Sequence, residues 1–322
     1  MLQKINKQLE KAMPLLTPVS VVLGVLLSAY LQDLVFLIPW IFAFMSFAGS
    51  LGSNFKSLKV VLNHPFPVFL AMLILHVLMP LWASGIGHIA FSDDIYTITG
   101  LILGMAIPTG ITSFIWVSIY KGNISLVLAV ILIDTLLSPV LVPLSLSLFV
   151  GQRVELDFIS MMKGLLGMIV IPSIIGMVLN QATKGKINVQ LGSRLAPFSK
   201  ISLGIVVMLN GSVVAPYLKN INLKLVGISV AVLFIAMTGY LFSFLLGRWM
   251  KRDRDTVITL TFTGGMRNIS SGVVIAVSFF PPAVAVPVVV GMLFQQVLAS
   301  TIGHFLDRFY LKKEDKRESI AL

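Results

Sequence analysis

The sequence contains no cysteine, which excludes a disulfide framework and any thiolate metal site. Charge is scarce as well: Asp, Glu, Lys and Arg make up 11% of the chain, against 57% hydrophobic residues and a mean hydropathy of +0.97. A water-soluble domain carries about 25% charged residues. A chain of 322 residues could not cover a solvated surface with so few. These scarcities exclude a soluble globular protein and leave an integral membrane protein. Enzyme signatures are missing too: there is no H-E-x-x-H, no pair of mid-span aspartates and no Ser–His spacing that supports nucleophilic chemistry. Acidic residues are the rarer sign, 13 against 24 basic ones, giving a net charge of +11. That excess could suggest nucleic acid, but the positions of the charges assign it to membrane topology.

What the sequence does contain is long apolar runs with charged residues as dividers. They cover 12–32, 34–55, 60–92, 95–120, 122–152, 158–183, 201–218, 225–247 and 256–306. The first is too long for the apolar part of a cleaved signal and reads as a span. Within 256–306 the only Lys, Arg, Asp or Glu is Arg267. As one helix this run would be far longer than the ~30 Å hydrocarbon core. It therefore folds into two spans, turning at Phe279-Phe280-Pro281-Pro282. The expectation is an all-α protein of ten transmembrane helices.

Lys and Arg set the orientation. With the N-terminus inside, 19 basic residues fall on inner segments and three (Arg153, Lys219, Lys224) on outer ones; Lys163 and Arg267 lie within spans. Both termini are thus expected on the cytoplasmic side of the cell membrane. A lipid-headgroup role for Lys312–Arg317 is one reading of the basic tail, and anchoring by snorkelling is the other. Two spans are interrupted at their middles: the fourth at Ile107-Pro108-Thr109-Gly110-Ile111-Thr112-Ser113, the ninth at Thr263-Gly264-Gly265-Met266-Arg267-Asn268. Each is the fourth of a five-span set, and an odd set makes the second enter the membrane from the opposite side. Residues 1–152 and 157–322 then read as two inverted five-helix repeats, the pattern of secondary transporters whose broken helices mark a midplane binding site.

At these residues the chain resembles the bile acid–sodium symporter family. The resemblance is carried by the ten spans, the Pro-x-Gly-x-x-Ser break, Gly122-Asn123, Ser138-Pro139, Met79-Pro80 and Gly265-Met266-x-Asn268. It implies a panel domain (spans 1, 2, 6 and 7) and a core domain (spans 3–5 and 8–10), with helices 4 and 9 crossing in the core. An organic anion would bind between panel and core. The family's sodium ligands are not matched. Thr263 and Arg267 stand where a Glu and a Gln are expected, and Phe114, Val127, Ile131 and Leu75 replace the remaining polar ligands. A hard cation needs oxygen ligands, and a guanidinium only donates.

A charge within the bilayer costs about 2.5–3.5 kcal/mol on insertion scales and normally has a partner or a cavity. Arg267 and Asp134, the only mid-span acid, read as an ion pair, direct or through water. Arg267 either replaces a bound cation or binds a substrate carboxylate; the competing reading is a salt bridge pinning the crossing helices. His76 can titrate near neutral pH or simply hydrogen-bond between helices. His88, about 120° further round the helix, does not share its face. His64 and His304 read as interfacial, and Lys163 as snorkelling. The candidate substrate-binding residues are Arg267, Asn268, Thr112, Ser113, Asn210 and Gln295; the candidate coupling residues are Asp134, Thr263 and His76. Ser212 and Gln296 belong with the polar lining, and interhelical hydrogen bonding is the alternative for each. The half-helices beginning near Ile111 and Asn268 add N–H groups and positive dipole ends that favour an anion.

The sequence thus describes a secondary transporter of an organic anion, bile-acid-like or a small carboxylate, working by alternating access. No cofactor or metal is expected; the coupling ion is sodium or a proton, with sodium poorly supported. The alternatives are a proton-coupled or uncoupled carrier on the same scaffold, and a channel or membrane sensor. The partners are the small anion and the lipid bilayer.

Overall fold

A computed structural model describes residues 2–53, 55, 65–150, 157–219 and 222–321. His64, Lys56, Lys59 and Arg153 lie outside the described residues, as do the side chains of Lys312–Arg317. The helices are α1 (Leu2–Leu26), α2 (Ser28–Leu31), α3 (Ile38–Ser50), α4 (Pro65–Leu73), α5 (Met79–Ala90), α6 (Ile95–Ala106), α7 (Ser113–Ile119) and α8 (Ile124–Val150). They continue as α9 (Phe158–Leu165), α10 (Ile171–Ala182), α11 (Ser193–Leu218), α12 (Leu223–Trp249), α13 (Arg254–Gly265), α14 (Ile269–Phe279) and α15 (Ala285–Ala321). Among the described residues there is no strand, only one isolated bridge. Seven helical segments are long and apolar enough to cross a membrane. Three shorter apolar helices accompany them: Leu15–Leu26, Ile95–Ala106 and Ile269–Phe279.

Single π turns at Ile74–Leu78 and Leu166–Val170 join α4 to α5 and α9 to α10, each just before a proline at the next helix start. Proline has no N–H to donate one turn back, so the hydrogen-bond ladder must shift there. At Pro80 the affected carbonyl is that of His76, and the Ser145 hydroxyl of α8 approaches it at 3.5 Å as donor. The π turn and the proline thus turn His76 into the interior.

The helices pack in two groups. In one, α1 lies along α11, and α3 lies against α10 and α11. Gly24 and Gly211 let α1 and α11 touch backbone to backbone, since a Cβ on Gly24 would collide with the Met208 carbonyl and one on Gly211 would sit 2.9 Å from the Val21 carbonyl oxygen. Such close approach supplies the van der Waals contact that replaces hydrophobic drive in lipid. In the other group, α6 packs on α5, α8 and α15, while α12 packs on α13 and α15. The two groups meet where α11 touches α14 and α15.

The ends of the bundle are tied separately. At one end, Asn180 Nδ2 donates to the Leu51 carbonyl at 2.6 Å, and the Asn123 N–H donates to Thr259 Oγ1 at 2.8 Å. At the other, Lys219 Nζ donates to Ser28 Oγ at 3.0 Å, and Lys224 pairs with Asp94 at 2.7 Å. Asp94 also caps α6, accepting from the Thr97 N–H. Partial burial works against its charged form, but the bonds from Lys224 and Thr97 win and hold its carboxyl below the ordinary value. Every one of these pairs joins segments that the charge pattern assigns to the same side of the membrane.

Candidate functional site

The two interrupted helices meet at their interruptions. α6 ends as Ile107 turns extended ahead of Pro108, and α13 ends as Met266 does the same. A residue preceding proline disfavours the helical region, which accounts for the first stop. Thr109 and Arg267 then face each other in an antiparallel bridge, with Asn268 N–H donating to the Pro108 carbonyl at 2.8 Å and Gly110 N–H to Met266 at 3.4 Å. A Cβ on Gly110 would sit 2.8 Å from the Arg267 carbonyl oxygen, so only glycine allows this approach. Non-helical backbone is tolerated at membrane depth only when its polar groups find partners within the protein, and here each break partly satisfies the other.

Gly264 and Gly265 do not themselves open the backbone: both lie in α13, and the break starts at Met266. Their smallness is needed because α12 presses on them. A Cβ on Gly264 would collide with Ser243 Oγ, and one on Gly265 with the Tyr240 ring.

Arg267 is 2% exposed. Its Nε donates to the Met105 carbonyl at 3.1 Å, and Nη1 to Gly264 at 2.9 Å and Met266 at 3.3 Å, while Nη2 has no partner. Its backbone N–H donates to Gln295 Oε1 of α15 at 2.9 Å. Helix C-termini leave carbonyls unpaired and carry the negative end of the dipole. One guanidinium therefore joins the C-terminal ends of both half-helices, α6 and α13. The single Thr109 hydroxyl donor lies 2.8 Å from the Thr263 carbonyl oxygen and 3.2 Å from that of Met266, which share it.

Of the expected Arg267–Asp134 pairing, the direct form is not present: the contacts of both side chains go elsewhere. Asp134, fully buried on α8, accepts at 2.6 Å from the Thr109 N–H through Oδ2 and lies 2.6 Å from His76 Nε2 through Oδ1. A carboxylate only accepts, so the Nε2–H tautomer of His76 donates. The reason for the difference is geometric. The π turn before Pro80 brings His76 to α8, while the carbonyls at the crossing take up the guanidinium. Asp134 stays within Coulombic range of Arg267 without touching it.

Of the other candidates, Gln295 joins the crossing through the Arg267 N–H, and Asn268 caps α14 by accepting from Ser271 N–H at 3.3 Å. The Thr263 hydroxyl donates back to the Thr259 carbonyl within its own helix, and its own carbonyl accepts from Thr109 at the crossing. Thr112 precedes α7 without capping it, and Ser113 is buried with its hydroxyl unpartnered. Asn210 sits buried on α11 in the other packing group, its side-chain amide unpartnered. Gln296 accepts from Trp116 Nε1 at 3.2 Å. Ser212 bonds to its own helix at Leu209. His88 and His304 are exposed and bond to carbonyls of their own helices. Lys163 is exposed as well. Two residues escaped the sequence reading. Thr109 was visible within Pro-Thr-Gly but not singled out. Tyr240, buried against Gly265 with its hydroxyl unpartnered, carries no local signal.

The sequence profile described as the Sodium Bile acid symporter family matches residues 39–221, more than half the chain. The chain belongs to this family of membrane transporters. Among similar proteins, YbaS of Bacillus subtilis (strain 168), itself uncharacterized, is 56% identical over 300 residues, covering 93% of this chain and 98% of the relative. The sodium-dependent transporter YocS of the same organism, likewise uncharacterized, is 25% identical over 268 residues, 82% of this chain and 81% of the relative. The probable sodium/metabolite cotransporter BASS1, chloroplastic, of Oryza sativa subsp. japonica is 29% identical over 247 residues, 76% of this chain. The chain spans 60% of the length of that rice protein.

Proposed function

We infer that this member of the symporter family is a secondary active carrier that moves an organic anion across the cytoplasmic membrane by alternating access. It has ten spans in two inverted five-helix repeats, residues 1–152 and 157–322, with both termini cytoplasmic. The seven long apolar segments together with Leu15–Leu26, Ile95–Ala106 and Ile269–Phe279 support that count. The group containing α1, α3, α10 and α11 is the panel, and the group around the crossing is the core. The two relatives above whose names include sodium do not pass that dependence on to this chain.

The observation that carries this reading is the position of Arg267. Its guanidinium donates to Met105 and Gly264, carbonyls that would otherwise be free for a cation at the crossing, and also to Met266. A fixed cation at that place leaves a sodium ion neither oxygen ligands nor an electrostatic reason to bind. The unpartnered Arg267 Nη2 and the unpartnered hydroxyls of Ser113 and Ser271 offer donors to an anion. A cavity of about 450 Å³ lined by Gln32, Val213, Tyr217, Val277 and Pro282 lies between α11 and the end of α14, at the expected outer side. It provides a way in between panel and core.

The test is counterflow of radiolabelled taurocholate and lactate in proteoliposomes, with sodium or with choline in its place. Saturable counterflow of either anion that is nearly unchanged in choline is expected. Steep sodium dependence would overturn the sodium-free reading, and conductance without saturation would make the protein a channel.

A further inference from the structure

The capture of Arg267 by backbone carbonyls leaves the buried His76–Asp134 pair without a role in the crossing's architecture. Asp134 Oδ2 alone suffices to hold the Thr109 N–H. A neutral amide could do the same, yet the chain places a carboxylate there and brings an imidazole to its other oxygen at 2.6 Å. With Nε2–H donating to the carboxylate, His76 Nδ1 carries a free lone pair, and it is buried with no hydrogen-bond partner among the described residues. A buried polar atom left unpaired is normally avoided. This one is a proton acceptor joined through Asp134 and Thr109 to the place where the broken helices meet.

Resting on the carrier reading above, we propose that His76 and Asp134 form the coupling site for a proton, so that the protein moves one proton together with one anion. In the empty state the pair carries one negative charge, which balances Arg267. A proton arriving at His76 Nδ1 gives an imidazolium–carboxylate pair of zero net charge, and the core then holds the uncompensated charge of Arg267. A monoanion restores neutrality. Unbalanced charge in a low-dielectric interior is costly, so proton and anion each favour the binding of the other, as linkage requires. On the far side the anion leaves, the proton leaves Nδ1, and the pair returns to its starting charge. One proton enters and one is released.

The other charges around the pair do not compete. Among the described residues, Arg267 lies within Coulombic range of both Asp134 and the buried Tyr240 phenol. On the helices packed against the pair, His88, Tyr96, Lys163, Lys224 and Arg248 occupy exposed positions. Arg254 and Asp255 lie half-buried at the start of α13, a helix length from the crossing.

Two measurements on the full chain decide the matter. In sodium-free proteoliposomes, an inward proton gradient of about one pH unit should raise the accumulation ratio of the anion that shows counterflow about tenfold. Asp134→Asn keeps an acceptor for Thr109 but cannot hold the charge, and it should abolish that response, as should His76→Gln. Saturable counterflow that ignores the gradient overturns the proton site while leaving the carrier reading intact. The second measurement requires no transported anion and no folded variant: infrared difference spectra of the purified wild-type protein across a pH series. An imidazole band and a carboxylate band should change together in a coupled titration, and both changes should be missing in His76→Gln where that variant folds. If the wild-type protein shows no such coupled titration, the proposal fails whether or not taurocholate or lactate is carried.

Discussion

A buried guanidinium needs acceptors, and Arg267 takes three carbonyls from the ends of two different helices. Its planar fork can serve several directions at once, which an ammonium on a flexible stem does less well. Arg267→Lys should therefore lower thermal stability, and Arg267→Gln should lower it further, since each buried acceptor left unpaired costs about 1–3 kcal/mol. Double-mutant cycles on thermal stability separate the two ionic relationships of Asp134. The His76→Ala/Asp134→Ala cycle should give a coupling of about 1–3 kcal/mol, larger than that of Arg267→Ala/Asp134→Ala. The opposite order would put the ion pair back between Arg267 and Asp134.

Among the secondary-structure elements, α13 depends on its last two residues being small. Tyr240 and Ser243 of α12 occupy the space where side chains at Gly265 and Gly264 would go. Overpacking a fixed contact costs about 1–3 kcal/mol, so Gly265→Ala should lower the melting temperature, and shrinking the neighbour in Gly265→Ala/Tyr240→Ala should recover part of the loss. Gly104 in α6 is the control, because a Cβ there meets nothing within 4 Å. Gly104→Ala should be neutral or stabilise by up to about 1 kcal/mol through helix propensity. Equal losses at the two glycines would mean that the α12–α13 contact is not what selects Gly265. The first helix break was legible in Pro108, because proline acts locally on the residue before it; the second was marked by Gly264-Gly265, which stand beside it without causing it. The reason for the glycines at 264 and 265 was not legible, because it lies in another helix.

In the molecule as a whole, the proposed orientation rests on the positions of Lys and Arg and is open to direct labelling. The absence of cysteine allows single introduced cysteines to be labelled without background. A cysteine at Val213 or Val277, lining the cavity between α11 and α14, should react with a membrane-impermeant thiol reagent from outside the cell. Cysteines in 53–58 or 184–194 should react only from inside. Labelling of 184–194 from outside would invert the topology, and protection of Val213→Cys and Val277→Cys from outside would remove the cavity from the anion's route.

The sequence by itself determined the membrane environment, the apolar segments and the two interruptions, and it alone carries the proposed sidedness. Each of these follows from composition over a short window: how many apolar residues run together, where lysine and arginine cluster, where a proline or glycine falls. Only the tertiary structure decided the partners. Asp134 faces His76, 58 residues away, and Arg267 reaches Met105, 162 residues away. Those pairings depend on the rotation of each helix about its axis, on a π turn ahead of Pro80, and on how closely glycine lets two backbones approach. The sequence named both charged residues at the crossing but not the groups they touch directly, because a lone acid and a lone base within a membrane look complementary until the backbone carbonyls freed by the helix breaks are counted as acceptors.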